Sequence, residues 1–114
     1  MNDLKYEPIA FATERDLQDR LESVKSEIVA EALHAVAKRG EDWKSVQDTC
    51  LAALTSPRLP IRWAAATCLG DLALLRRRLD TGVVIAALEK ACEDPAIADP
   101  ARFSLSMVKQ LAAR

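Results

Sequence analysis

The sequence predicts an all-α protein of about five to six helices, and three observations carry that prediction. The apolar half of the chain is mostly aliphatic, with only 4% aromatic and 29% charged residues, a mixture rich in helix formers. Apolar residues recur at three- and four-residue steps, the period of a helix with one buried face. Pro60-Ile61-Arg62-Trp63 returns 40 residues later as Pro100-Ala101-Arg102-Phe103, a spacing that suits stacked helix pairs, each covering the apolar face of the next.

In chain order, residues 1–12 lack periodicity and contain Pro8, so they read as an extended N-terminal arm across the first helices. Residues 13–114 read as one helical domain, a length that fits a single core. Thr13 with Asp16 three residues on reads as an N-cap. Leu17, Leu21, Val24, Ile28, Ala32 and Val36 then form a stripe closed by Lys38, Arg39 and Gly40. One long helix fits that stripe, as do two; Ser26, able to cap a second segment, favours a break between Ser23 and Ser26.

Asp42 can cap the next helix, which places Trp43, Val46, Cys50, Leu51 and Leu54 on its core side and ends at Ser56-Pro57. Pro60 suits the first turn of another, where Ile61, Ala64, Ala65, Cys68, Leu69 and Leu72 fall within a stripe of roughly 140° and allow close packing. Arg76-Arg77-Arg78 marks its end, where cations offset exposed carbonyls. Asp80 or Thr81 starts a helix carrying Val84, Ala87, Leu88 and Ala91, and Asp99-Pro100 starts the last.

Over Trp43 to Leu72 and Thr81 to Ala112 this pattern resembles the HEAT-repeat family, whose second helix opens with Pro, an aliphatic residue, Arg and a run of small residues. Here that is Pro60-Ile61-Arg62-Trp63-Ala64-Ala65-Ala66. The resemblance implies a short right-handed stack of antiparallel helix pairs, a HEAT-like α-solenoid. It also implies scaffold roles for Arg62 and Arg102, with Asp94 or Asp99 as the partner of Arg62.

The search for chemistry returns little. Sixteen basic against seventeen acidic residues give a net charge of −1, without the basic excess of a nucleic-acid binder. No apolar stretch is long enough to span a membrane, and Met1 to Phe11 has no signal pattern, so a cytoplasmic location is expected. Gly40, Gly70 and Gly82 are isolated and form no phosphate loop. Cys50, Cys68 and Cys92 stand at spacings of 18 and 24, with no C-x-x-C and no nearby His, and read as reduced, buried small apolar residues. The single histidine, His34, reads as solvated or half-buried, with only Glu31 at metal-ligand spacing. No catalytic residue, cofactor or metal is assigned, and the expected activity is protein binding.

Trp63, Thr67, Gly70 and Leu74 project between about 180° and 240° from Ile61, opposite the small-residue stripe. Phe103, Met107 and Gln110 hold the equivalent places one repeat later. Aromatic and Met anchors beside Arg have the composition of interface hot spots, so Trp63, Thr67, Leu74, Phe103, Met107 and Gln110 are candidate partner-binding residues. Arg76, Arg77 and Arg78 join them as a docking patch for an acidic partner. Glu27, Glu31, Glu41, Asp42 and Asp48 join them as an acidic patch for a basic one. Small stand-alone HEAT-like proteins resemble bacterial immunity proteins, which neutralise a cognate polymorphic or contact-dependent toxin. That resemblance implies a monomer binding one toxin domain in a 1:1 complex. Two alternatives are a HEAT-like adaptor that positions an enzyme, and an accessory protein similar to the phycobilin-lyase HEAT proteins, which needs a pocket and a reactive Cys.

Overall fold

A long helix whose described β-branched aliphatics, Val24, Ile28, Val29 and Val36, are exposed begins the described part of the molecule. The computed structural model describes residues 14–39 and 42–114, and the side chains of 22–37 and 42–114. Five helices account for most of these residues, and no strand occurs among them. None of the helices is long and apolar enough to cross a membrane. The arm at residues 1–12, the Thr13 cap, Gly40 and Glu41 lie outside the described residues, as do the side chains of Leu17 and Leu21.

α1 (Glu14–Arg39) is continuous, against the expected break. Ser26 does not cap a second segment; its Oγ donates to the Glu22 carbonyl at 2.9 Å, which satisfies the hydroxyl inside the helix. The stripe is also turned round. Ser26, Leu33 and Ala37 are buried, while Val24, Ile28, Val29 and Val36 are exposed. Ser26 and Ala37 let α1 approach its neighbour closely, and of the described bulky aliphatics only Leu33 turns inward.

α2 (Trp43–Ala53) opens on Asp42, whose carboxylate accepts from the Lys44 and Ser45 amides at 3.1 and 3.4 Å. It buries Val46, Gln47 and Cys50. Trp43, expected in the core, is half-buried, with the Arg78 guanidinium 5.8 Å from its ring centroid, an exposed-type cation–π arrangement.

α3 (Leu59–Asp71) has Pro60 in its first turn, where the missing amide hydrogen costs no helix bond. It packs against α1 on one flank and α5 on the other, and against α2. With neighbours on several sides it buries Ala64, Ala65, Ala66, Cys68, Leu69 and Gly70. A π-helical turn, Leu72–Arg76, continues it, closed by the Arg77 amide donating to the Leu72 carbonyl at 2.9 Å. Arg77 ends the turn in the left-handed conformation, φ 54° and ψ 30°.

α4 (Thr81–Ala91) buries Val84 and Leu88. Asp80 stands at its N-cap position, but its side chain makes no cap bond. The carboxylate accepts instead from Gln47 Nε2 at 2.9 Å and Lys44 Nζ at 2.5 Å, and the Asp80 amide donates to Gln47 Oε1 at 2.6 Å. Gln47, 1% exposed, is thereby satisfied at both ends of its amide, as a buried polar group must be. The Lys44 hydrogen bond, with help from Gln47, holds the Asp80 carboxyl below its ordinary value; the same bond raises the Lys44 ammonium above its own.

α5 (Ala98–Ala112) buries Ala98, Ala101, Ser104 and Val108. Ser104 Oγ donates to the Ala66 carbonyl of α3 at 2.5 Å. A Cβ built on Gly70 would lie 3.0 Å from both Cα and Cβ of Ser104 and closer still to its Oγ. Gly70 therefore lets the two backbones meet.

Arg62 and Arg102, paired by sequence as scaffold residues, differ. Arg62 Nη1 donates to the Ser56 carbonyl at 3.0 Å, and its Nε lies 3.5 Å from Asp94 Oδ2. That Nε contact is an ion pair without hydrogen-bond alignment, and Asp94 rather than Asp99 is the partner. Among the described residues Arg102 pairs with Asp99 on its own helix, at 3.2 Å, where both side chains are exposed.

Candidate functional site

The candidate positions fall into three places. The first is the outer face of α1. Ile28, Val29, Ala32, Leu33 and Val36 line, with Val46 and Thr49 of α2, a groove of about 370 Å³. Val24, Ile28, Val29 and Val36 are 43–60% exposed. Scattered exposed aliphatics are ordinary, but a contiguous set lining one groove is not. The acidic residues Glu27 and Glu31 on α1 and Asp48 on α2 are exposed on the same two helices, but none of them lines the groove. Asp42 is occupied as the α2 cap, and Lys44 stands 4.0 Å from Asp48.

The second place is the outer side of α3 and α5. Trp63 is 45% exposed and Phe103 60%, so neither fills the space between helices. Leu74 and Gln110 are exposed, and Thr67 is half-buried with its hydroxyl on the Trp63 carbonyl at 3.0 Å. Met107 is half-buried and packs on the core. Leu74, Arg77, Met107 and Gln110 meet around a small recess of about 40 Å³, so the structure brings four of the candidates together. Gly70 does not belong to this surface, because it faces Ser104.

The three arginines have different surroundings. Arg76 is half-buried and donates to the Ala37 carbonyl of α1 at 3.4 Å. Arg77 terminates the π turn, and Arg78 covers Trp43.

The third place was not legible in the sequence. His34 on α1 meets Cys68 and Asp71 on α3, with one ligand-type atom of each within 4.8 Å of the others. His34 Nδ1 is 3.5 Å from Cys68 Sγ. Cys68 is fully buried; His34 and Asp71 are half-buried. Cys50, also fully buried, adjoins Cys68, and the Cys68 thiol donating to it lowers the Cys50 pKa against burial and the Asp71 charge, which raise it. Cys92 is half-buried elsewhere. A search for C-x-x-C misses the Cys68-Leu69-Gly70-Asp71 spacing, although i and i+3 share a helix face equally well when the second ligand is a carboxylate.

Comparison with protein-family models, with curated proteins and with solved structures found no match for this chain.

Proposed function

We propose that this chain is a protein-binding module that docks its partner on the apolar outer face of α1. The observation that carries the reading is the α1–α2 groove, with Ile28 and Val36 exposed in it. Contiguous apolar surface of this kind is what a partner covers. Glu27, Glu31 and Asp48, exposed on the same two helices, favour a basic partner through longer-range attraction, which speeds association more than it tightens binding. The aromatic pair Trp63 and Phe103 forms a second, smaller contact surface.

In the same reading the helices form a short HEAT-like stack, α2 with α3 and α4 with α5, and α1 is an end helix whose next neighbour is the partner. A stacked repeat needs a polar outer face at each end unless something else covers it. No step of this reading uses catalysis. Its specific form, an immunity protein that neutralises one basic toxin domain in a 1:1 complex in the cytoplasm, rests on the resemblance of small HEAT-like proteins to that class.

The test is co-expression of the tagged full chain with the neighbouring open reading frame, comparing wild type, Ile28→Asp/Val36→Asp, and Trp63→Ala/Phe103→Ala. Recovery of one otherwise toxic domain at 1:1 with restored growth, lost in the α1 variant at unchanged helicity, is the expected result. Loss in the aromatic variant alone moves the site to α3 and α5. Recovery of housekeeping proteins without growth rescue replaces immunity with the adaptor role.

A further inference from the structure

Separately from the docking face, and without resting on it, we propose that His34, Cys68 and Asp71 form a binding site for a thiophilic divalent metal ion of the zinc class. The ligand-type atoms of the three side chains already lie within 4.8 Å of one another. A tetrahedral zinc ion with Zn–N of about 2.0–2.1 Å and Zn–S of about 2.3 Å sets its nitrogen and sulfur ligands about 3.5 Å apart. His34 Nδ1 and Cys68 Sγ stand at 3.5 Å, so this edge of the tetrahedron needs no rearrangement.

The donor set decides the class of ion. Imidazole nitrogen and thiolate sulfur select zinc and its borderline-soft neighbours over magnesium or calcium, which prefer oxygen alone. Charge agrees: a thiolate and a carboxylate neutralise a dication, which lowers the cost of holding it where Cys68 is fully buried. Among the described residues no hydrogen-bond donor engages the Asp71 carboxylate, although it is half-buried. Binding replaces the Cys68 S–H bond with a metal–sulfur bond and releases one proton to solvent, while His34 binds as the neutral imidazole and Asp71 as the carboxylate. Cys50 adjoins Cys68, and once the Cys68 proton has left, the Cys50 thiol can donate to the thiolate in turn.

Two features hold the ligands in place. Ala37, one turn beyond His34 on α1, accepts from Arg76 at 3.4 Å, which ties α1 to the end of α3. The π turn begins at Leu72, immediately after Asp71; such turns redirect side chains and recur at functional sites. A metal here would clip α1 to α3 through side chains of both helices.

The experiment uses the full-length chain, reduced and stripped of metal, titrated with Co2+ and then Zn2+. One cobalt per chain is expected, with thiolate charge-transfer and tetrahedral ligand-field bands that Zn2+ bleaches, and a higher melting temperature with either ion. His34→Ala and Asp71→Ala, both at half-buried positions, should keep the helical circular dichroism and lose metal affinity by more than about 100-fold, beyond the 10–100-fold cost of losing an outer-shell partner. His34→Gln serves if the alanine variant unfolds. Absence of the cobalt bands in folded wild type, or bands undiminished in the folded variants, would show a thiol–imidazole hydrogen bond and no metal site.

Discussion

The two flanks of α3 end differently. On one side α5 turns Ala98, Ala101, Ser104 and Val108 inward, and its outer groove is lined by Arg102, Leu105, Ser106, Lys109, Gln110 and Ala113. On the other, α1 turns Ser26, Leu33 and Ala37 inward and lines its outer groove with Ile28, Val29, Ala32 and Val36. Both helices use small residues to approach α3, so packing against the core does not distinguish them. The grooves do: that on α5 includes Arg102, Ser106, Lys109 and Gln110, which water satisfies, and that on α1 is aliphatic apart from Thr49 of α2, although Phe103 of α5 is exposed as well. The α5 groove is polar enough to stand in water, whereas the α1 groove has the composition of a surface that a neighbour covers. Substitutions in the α5 seam should therefore act on stability, and those on the α1 face on association.

Apart from truncation of the core leucine used below as a reference, the largest effect should come from the seam. Gly70→Ala places a Cβ 3.0 Å from the Ser104 Cα, a backbone atom that cannot swing aside, so the helices must separate. Overpacking of this kind costs about 1–3 kcal/mol, offset in part by the roughly 0.5–1 kcal/mol that alanine gains over glycine in a helix. A net loss of about 1–2 kcal/mol is expected in urea denaturation. Gly82→Ala is the control, since its Cβ would meet nothing within 4 Å; it should be neutral or stabilise by about 0.5 kcal/mol. If both variants behave alike, the seam is looser than the Gly70–Ser104 approach implies.

The second test concerns the polar link between α2 and α4. Gln47→Ala removes both bonds to Asp80 and should destabilise by about 1–2 kcal/mol, the range for hydrogen-bonded groups left without a partner. The exposed Lys44–Asp80 pair adds a pH signature. Because the folded Asp80 carboxyl is held below its ordinary value, its contribution is present above that ordinary value and is lost as pH falls through the lowered one. Because folding raises the Lys44 ammonium, its contribution is present below the ordinary lysine value and fades as pH rises through the raised one. Stability of wild type minus Asp80→Asn should be flat between these windows and shrink at each end. A difference that grows towards acid would reverse the assignment.

These regions also show what sequence reading could reach. Pro60, the Ala64-Ala65-Ala66 run and the Asp42 cap carry their structural meaning locally, so α2 and α3 were legible from residue types alone. The orientation of α1 was not, because the 3.6 period identifies an apolar stripe but not whether a neighbour exists to cover it. The Ile28 stripe and the Ser26–Ala37 stripe lie on one helix, and α3 took the smaller residues. Asp80 looked like a cap because its neighbour in space, Gln47, stands 33 positions away. The meeting of His34 with Cys68 has the same cause: 34 residues separate them, and only the α1–α3 packing sets their distance.

The smallest expected change in stability is the one that discriminates most between the flanks. Ile28→Ser and Val36→Ser remove aliphatic side chains of the kind whose loss from a core costs about 2–5 kcal/mol for Ile and less for Val. At 60% and 45% exposure the same removal should shift unfolding by no more than about 0.5 kcal/mol, because little surface returns to water. What should change is association: binding of a hydrophobic dye, and self-association measured by sedimentation, should both fall relative to wild type. Leu33→Ala, at a position of the same helix that is only 7% exposed, supplies the internal reference and should cost several times more stability. A large loss in Ile28→Ser would mean that another part of the chain already covers this face. The contrast with α5 would then be one of which segment finishes each flank, and the partner would have to dock elsewhere.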